Sequence, residues 1–414
     1  MKKNLFILAV AGLALASCSS DETIASQATS QANEISFRAF NNGMTRAATD
    51  PGVMTTFIAG NAMNVWADYL EGTTPTLKKY FYDTYTATGS PISSWTPTNG
   101  KHYWPATVDG TNKMTFYATY GGVTQTAGGV FAGYTPQTVA ANQVDLLVAK
   151  HISTSKEANV TLNFRHALSQ IAVQVKNSNA NLKVTVQGVR IGYVGTAATA
   201  FSLAFDNTDT DSEPQQQAAS GSLTTDANMI AASSWTVTAP TGADANKYEQ
   251  NLTNYAVLEG TTGAIDLLLT TPTNYGFKPW LLLPQTMKAF TNDQSNASSE
   301  KEYTTKENGT AAAAATPKLS GSYIALKMTI ENWNGTEVTG KMVEDWWCYW
   351  PIDGLGAWTP GLKYTYLIDV AGGGYQALDV NNDQKLDPIL QEIVINPSCT
   401  IDVWNSQTDT NVTN

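Results

Sequence analysis

The sequence predicts an all-β protein. Thr, Val, Tyr and Trp, which favour extended backbone, are frequent, while charged residues make up only 14% of the chain. Short runs of alternating apolar and polar residues are broken throughout by Asn, Asp and Thr turns and by 31 glycines. A hydrophobic content of 42% is ample for packed cores, and 414 residues set a prior of roughly two domains. The spacing of the runs and their turn chemistry suit β-sandwiches.

The first element is an export signal. Lys2-Lys3 form a positive start, and Leu5 to Leu15 form an apolar run too short to cross a bilayer as a mature helix. It ends in Leu15-Ala16-Ser17-Cys18, the pattern of a bacterial lipobox, in which Cys18 is lipidated and becomes the new N-terminus. Several acyl chains on one cysteine anchor a protein stably where a single chain is marginal. Ser19-Ser20-Asp21-Glu22 resembles the acidic tag that sends lipoproteins to the cell surface in some Gram-negative anaerobes. Residues 1–17 are therefore expected to be a lipoprotein signal peptide, and the protein to be exported and tethered at the outer membrane.

Residues 35–40 form the first strand candidate, with Ile35, Phe37 and Ala39 on one face and Ser36, Arg38 and Phe40 on the other. A soft Asn41-Asn42-Gly43 turn follows, then an isolated arginine in Thr45-Arg46-Ala47. Further strands are expected at 64–70, 78–83, 101–105, 113–120 and 144–150. A second block opens at 159–177 and continues at 183–194, 264–272, 279–285, 322–330, 346–352, 363–370 and 392–404. The division is placed near residue 155, closing one domain and opening another over 156–414. The polar stretches 205–250 and 288–321 read as surface loops, and no repeat of the length used by solenoids or propellers occurs.

Chemistry-bearing motifs are sparse. The net charge is −11 and basic residues do not cluster after the N-terminus, which argues against a nucleic-acid partner. His102, His151 and His166 stand in no metalloprotease or nucleophile motif, and His102 and His166 are flanked by core-type residues, as structural histidines are. No GxSxG or phosphate-binding loop occurs, so no enzyme activity is expected. The aromatic runs Tyr103-Trp104 and Trp346-Trp347-Cys348-Tyr349-Trp350 suit a sandwich core, with sugar stacking as the other reading. Asp379, Asn381, Asp383, Lys385 (through its carbonyl) and Asp387 follow the spacing of a calcium loop. Gln384 replaces the turn glycine and Leu390 the closing acid, so a plain polar hairpin loop competes and no cofactor is otherwise implied. Cys348 and Cys399 are open to two readings, a disulfide in an oxidising compartment or two separate buried thiols.

With these pieces in view, the chain resembles the fimbrillin-like family, the type V pilins and related fimbrium subunits of Gram-negative anaerobes. The matching elements, in order, are LASC, ISFRAF with TRA, KHYWP, TFYATY, VDLLVAK, VTLNFRHALSQIAVQV, WLLLPQ, WTPGLKYTYLIDV and a closing strand ending in TIDVW. The resemblance implies two transthyretin-like β-sandwich domains in tandem within a surface lipoprotein. It also implies an extracellular arginine-specific protease that removes the first strand, which here places the cut between Arg46 and Ala47, leaving 18–46 as an N-terminal propeptide and 47–155 as the first domain. Loss of that strand would open a groove that an extended segment of another subunit fills. The candidate donor is the C-terminal segment, where Ile393 and Ile395, then Ile401 and Val403, alternate. A structural subunit of a surface fimbrium is thus expected, with a tip adhesin or a surface glycan-binding lipoprotein as the alternative.

Overall fold

A computed structural model of the protein describes residues 33–41, 57–72, 76–204, 230–241, 246–267, 275–291, 321–376, 388–390 and 397–403. These residues build four β-sheets and four short 3-10 turns, with no α-helix among them. The all-β expectation is met. None of the described residues forms a helix long and apolar enough to cross a membrane.

The first sheet has seven strands: β1 (Phe37–Asn41), β2 (Ala62–Glu71), β3 (Thr76–Thr88), β4 (Ser94–Pro97), β5 (Lys113–Tyr120), β8 (Leu147–Ser153) and β9 (Val160–His166). Their order is β1-β9-β8-β5-β2-β3-β4. Along β9 the pairing changes partner: Arg165 and His166 pair with β8, whereas 160–164 pair with β1. The β1-β9 layer thereby folds over the remaining strands. Period-two alternation then delivers Phe37, Val160, Leu162 and Phe164 to one core with Met63, Val65, Tyr85, Met114 and Phe116. β9 follows residue 155 and completes this sheet, adding Val160, Leu162 and Phe164 to its core.

Two further sheets form a sandwich. One consists of β10 (Ser169–Asn177), β15 (Thr262–Asp266), β19 (Leu362–Asp369) and β21 (Ser398–Val403), in the order β15-β10-β19-β21, with β16 (Trp280–Leu282) also on β10. The other contains β11 (Leu182–Gly192), β14 (Lys247–Glu259), β17 (Tyr323–Trp333), β18 (Val338–Pro351) and β20 (Tyr375–Gln376), in the order β14-β11-β17-β18-β20. Ile171, Val173, Tyr364 and Tyr366 from the first share a core with Val184, Ile191, Leu326 and Trp350 from the second. The aromatic run of β18 is packing on both faces. Cys348 and Trp350 enter the sandwich core, while Trp347 and Tyr349 pack with Tyr323 on the opposite face under the Arg190 guanidinium.

A small fourth sheet, β13-β12-β7-β6, joins strands from the two parts of the chain: β6 (Gln125–Ala127) and β7 (Val130–Tyr134) with β12 (Ala198–Ser202) and β13 (Trp235–Val237). Its core combines Phe131 and Val148 with Phe201, Trp235 and Leu283. A Cβ on Gly128 would come within 2.6 Å of Asp68 Oδ2 and the Tyr117 ring, so glycine is what lets the turn between β6 and β7 lie on the first sheet. Beside this junction the buried His166 and Asp145 side chains meet at 2.9 Å.

Candidate functional site

The seat of the first strand is the best-defined candidate site among the described residues. Ile35 and Phe37 are each only 3% exposed, Ala39 packs against the same core, and Ser36 and Arg38 face away, as the alternation requires. The Phe37 ring meets Tyr85 and Phe116 edge-on, with centroids at 4.8 and 5.5 Å. Burying Ile35 and Phe37 contributes about 1.5–3 kcal/mol each.

Hydrogen bonds hold the segment along both sides. Towards β9 it pairs in parallel, Phe37 opposite Val160 and Asn41 opposite Phe164. The Val160 N–H donates to Ser36 O, and Ser36 Oγ donates to Ala158 O at 2.7 Å. On the other side, the Ile35 N–H donates to His102 O, the Trp104 N–H donates to Asn33 O, and Lys101 pairs with Glu34 at 2.7 Å. Residues 101–104 therefore act as a second wall, and KHYWP contributes a bridge from Tyr103 to Glu34 rather than a full strand.

That wall is stiffened from within. Asp83 is buried and accepts from Thr84 N, Asn99 N and Asn99 Nδ2, and its Oδ2 lies 2.9 Å from His102 Nε2. The His102 imidazole stacks on Phe81 with centroids 4.0 Å apart and planes 6° apart. Trp104 packs edge-on against Phe116. A buried carboxylate with this many donors fixes the loop geometrically. On the β9 side, Glu157 accepts from His151 Nε2 or pairs with it at 2.8 Å and accepts from Ser153 Oγ at 2.6 Å. Burial pushes the Glu157 carboxyl up, but the His151 and Ser153 hydrogen bonds outweigh it and hold it below its ordinary value. Each of the three histidines thus faces a carboxylate.

The second element of interest is β21, the last strand of its sheet, antiparallel to β19 from Leu362 opposite Val403 to Leu367 opposite Ser398. Ile401 is 36% exposed, and Cys399 packs against the sandwich core. Cys348 on β18 and Cys399 on β21 reach the same sandwich core from its two sheets and are not joined to each other in this structure. Burial pushes the Cys348 thiol strongly up.

Cys18, Arg46, Ala47, Ile393, Ile395 and the calcium-loop residues Asp379, Asn381, Asp383, Lys385 and Asp387 lie outside the described residues. Among the described residues no cluster of His, Cys, Asp and Glu could hold a metal ion. The sequence predicts strands at 101–105 and 159–177 and marks Trp104 as a core or sugar-stacking aromatic, but it does not assign Lys101, the His102 carbonyl, Trp104 or the β9 edge to the seat of the first strand. Their only signal was the aromatic run KHYWP, because the pairing joins segments far apart, Ser36 and Ala158 being 122 positions from one another.

Distant similarities to solved structures cover most of the chain. A fimbrial protein from Bacteroides vulgatus is 14% identical, with 90% of this chain and 99% of that one covered and a TM-score of 0.44. A candidate cell adhesion protein from Bacteroides uniformis is 16% identical over 90% and 98% of the two chains, with a TM-score of 0.39. A fimbrial assembly protein from Parabacteroides distasonis is 9% identical over 89% and 98%, with a TM-score of 0.35. No curated protein sequence matches the chain. The model of the fimbrillin-like family matches residues 45–404, and with nearly the whole chain inside that match the protein belongs to the fimbrillin-like family.

Proposed function

We propose that this fimbrillin-like protein is a structural subunit of a surface fimbrium that is exported as a lipoprotein on Cys18, cut between Arg46 and Ala47, and assembled by strand exchange. Its two domains would be an N-terminal one beginning at Ala47 and a C-terminal one carrying the donor segment. The observation that carries this reading is the position of β1. It supplies Ile35 and Phe37 to the first core, yet its ladder is a parallel one to β9, more than a hundred residues away. Parallel neighbours are not joined by a hairpin, so removal of the strand breaks no tight turn in the rest of the sheet. What removal leaves is an apolar groove with unpaired β9 edge groups, which another extended segment satisfies.

The test is N-terminal sequencing of protein shed or extracted from the cell surface, with Arg46→Ala alongside. A start at Ala47 and loss of polymer in the variant are expected. Polymer ladders from Arg46→Ala would overturn the processing step.

A further inference from the structure

The two ends of the chain carry the same short pattern. Asn33-Glu34-Ile35-Ser36-Phe37 is matched by Gln391-Glu392-Ile393-Val394-Ile395: carboxamide, glutamate, isoleucine, any residue, large apolar. The dipeptide Glu-Ile occurs at these two places and nowhere else in the 414 residues. At the first of them every element of the pattern has a partner. The Asn33 carboxamide lies 3.5 Å from Lys156 Nζ, Glu34 pairs with Lys101, Ile35 and Phe37 fill the core, and Ser36 sits on the β9 ladder.

Resting on the strand-exchange reading, we infer that Lys101 sets the register of the incoming strand by pairing with Glu392 of a second copy, so that Ile393 and Ile395 take the places of Ile35 and Phe37. Apolar alternation alone cannot do this. A slip of one residue turns the isoleucines away from the groove, but a slip of two keeps both facing it. A two-residue slip moves the glutamate about 7 Å along the strand, out of reach of Lys101. The ion pair therefore separates registers that hydrophobic burial leaves equivalent. Pro397 falls at the place of Ala39. Ile35 turns its N–H to His102 rather than to β9, and Ala39 has the same parity, so a proline there removes no bond to β9.

The inference chooses between the two halves of the donor segment. Pro388, Ile389 and Leu390 remain behind: Ile389 and Leu390 pack against the sandwich core, Pro388 bridges Tyr375, and the Ile389 N–H donates to Gly374 O at 3.0 Å. The reaching segment then begins at Gln391, the first residue of the pattern. β21 must come away with it, which breaks one ladder, since β19 is its only strand neighbour among the described residues. β21 itself presents Thr400-Ile401-Asp402-Val403, with no acid before its first apolar residue, and does not fit the seat in this way.

The experiment compares ladders of surface polymer from full-length Glu392→Lys, Lys101→Glu, the double charge reversal, Ile401→Asp and a chain truncated after Leu390. The precursor's Lys101–Glu34 pair is exposed, and its loss in Lys101→Glu leaves a folded subunit, checked by circular dichroism; Glu392→Lys leaves that pair intact. Each single reversal should lower polymer yield by roughly five- to tenfold, and the double reversal should restore it to within about twofold. A double reversal no better than the single ones, or loss of polymer in Ile401→Asp with full assembly of Glu392→Lys, overturns the register assignment and leaves strand exchange standing. Intact ladders from the truncated chain overturn strand exchange itself.

Discussion

If the chain is cut after Arg46 as proposed, replacing Phe37 by alanine separates the precursor from the mature subunit. The ring is 3% exposed and lies edge-on to Tyr85 and Phe116. Phe→Ala changes at such buried positions cost about 3–5 kcal/mol. Here the loss has a ceiling, because β1 can undock instead of leaving a cavity. Docking of β1 gains about 1.5–3 kcal/mol from each of two buried side chains and about 0.5–1.5 from each hydrogen bond. Ordering its backbone opposes this by about 1–2 kcal/mol per residue, so the net grip is small. The loss should therefore not exceed this grip and should fall at about 1–3 kcal/mol, at or below the lower end of the range, with β1 released. Urea unfolding of the unprocessed chain, with the surface-exposed Arg38→Ala as reference, measures it. Arg38→Ala should stay within about 0.5 kcal/mol of the parent. Once cleaved at Arg46, the two subunits are identical in sequence, so polymers from Phe37→Ala should melt like the parent. A precursor loss below about 1 kcal/mol, or an altered polymer melting point, refutes the reasoning.

Two further outcomes follow from the shared sheet and from the turn before β9. Trp235 donates its indole N–H to Ala167 O at 2.7 Å and packs on Phe201 at 4.7 Å, so Trp235→Leu should cost about 3 kcal/mol. Because its sheet joins strands from both parts of the chain, the parent should melt in one calorimetric transition that the variant shifts as a whole; two resolved transitions in the parent would exclude that coupling. Glu157 is held below its ordinary value in the fold, so its stabilising contribution is complete above the usual carboxylate range and is lost as pH falls through the folded value. The stability gap between the parent and Glu157→Gln should be widest near neutral pH and close toward acid; a gap that opens toward acid would contradict the assignment.

Much of the strand content was legible because burial on one face imposes period two on the chain. The expected strands 64–70 and 113–120 lie within β2 and β5, and 322–330 and 363–370 overrun β17 and β19 by one residue each. The strand that escaped, β14, shows why the pattern can fail. Its buried residues Tyr248, Leu252, Ala256 and Leu258 share one parity, but the polar Gln250 and Asn254 stand at the positions between them. Polar residues at these places remove the apolar alternation on which a sequence reading depends. The short β6, β7, β12 and β13 carried no pattern long enough to read.

Alternation in Ile35, Phe37 and Ala39 was enough to establish an amphipathic strand near the start of the chain, and the resemblance to the family is what made the isolated Arg46 after it an expected cut. Neither says what the strand lies against. That was decided by tertiary structure alone: the parallel edge of β9 on one side, and on the other Lys101 and the His102 carbonyl, held by a buried Asp83. The same holds for Cys348 and Cys399, which the sequence leaves open and which β18 and β21 bring to one sandwich core without joining them. The physical reason is common to all three. Side-chain periodicity is a local property, set by the geometry of one strand, whereas strand partners are chosen by backbone hydrogen bonds and burial between segments that the sequence keeps far apart.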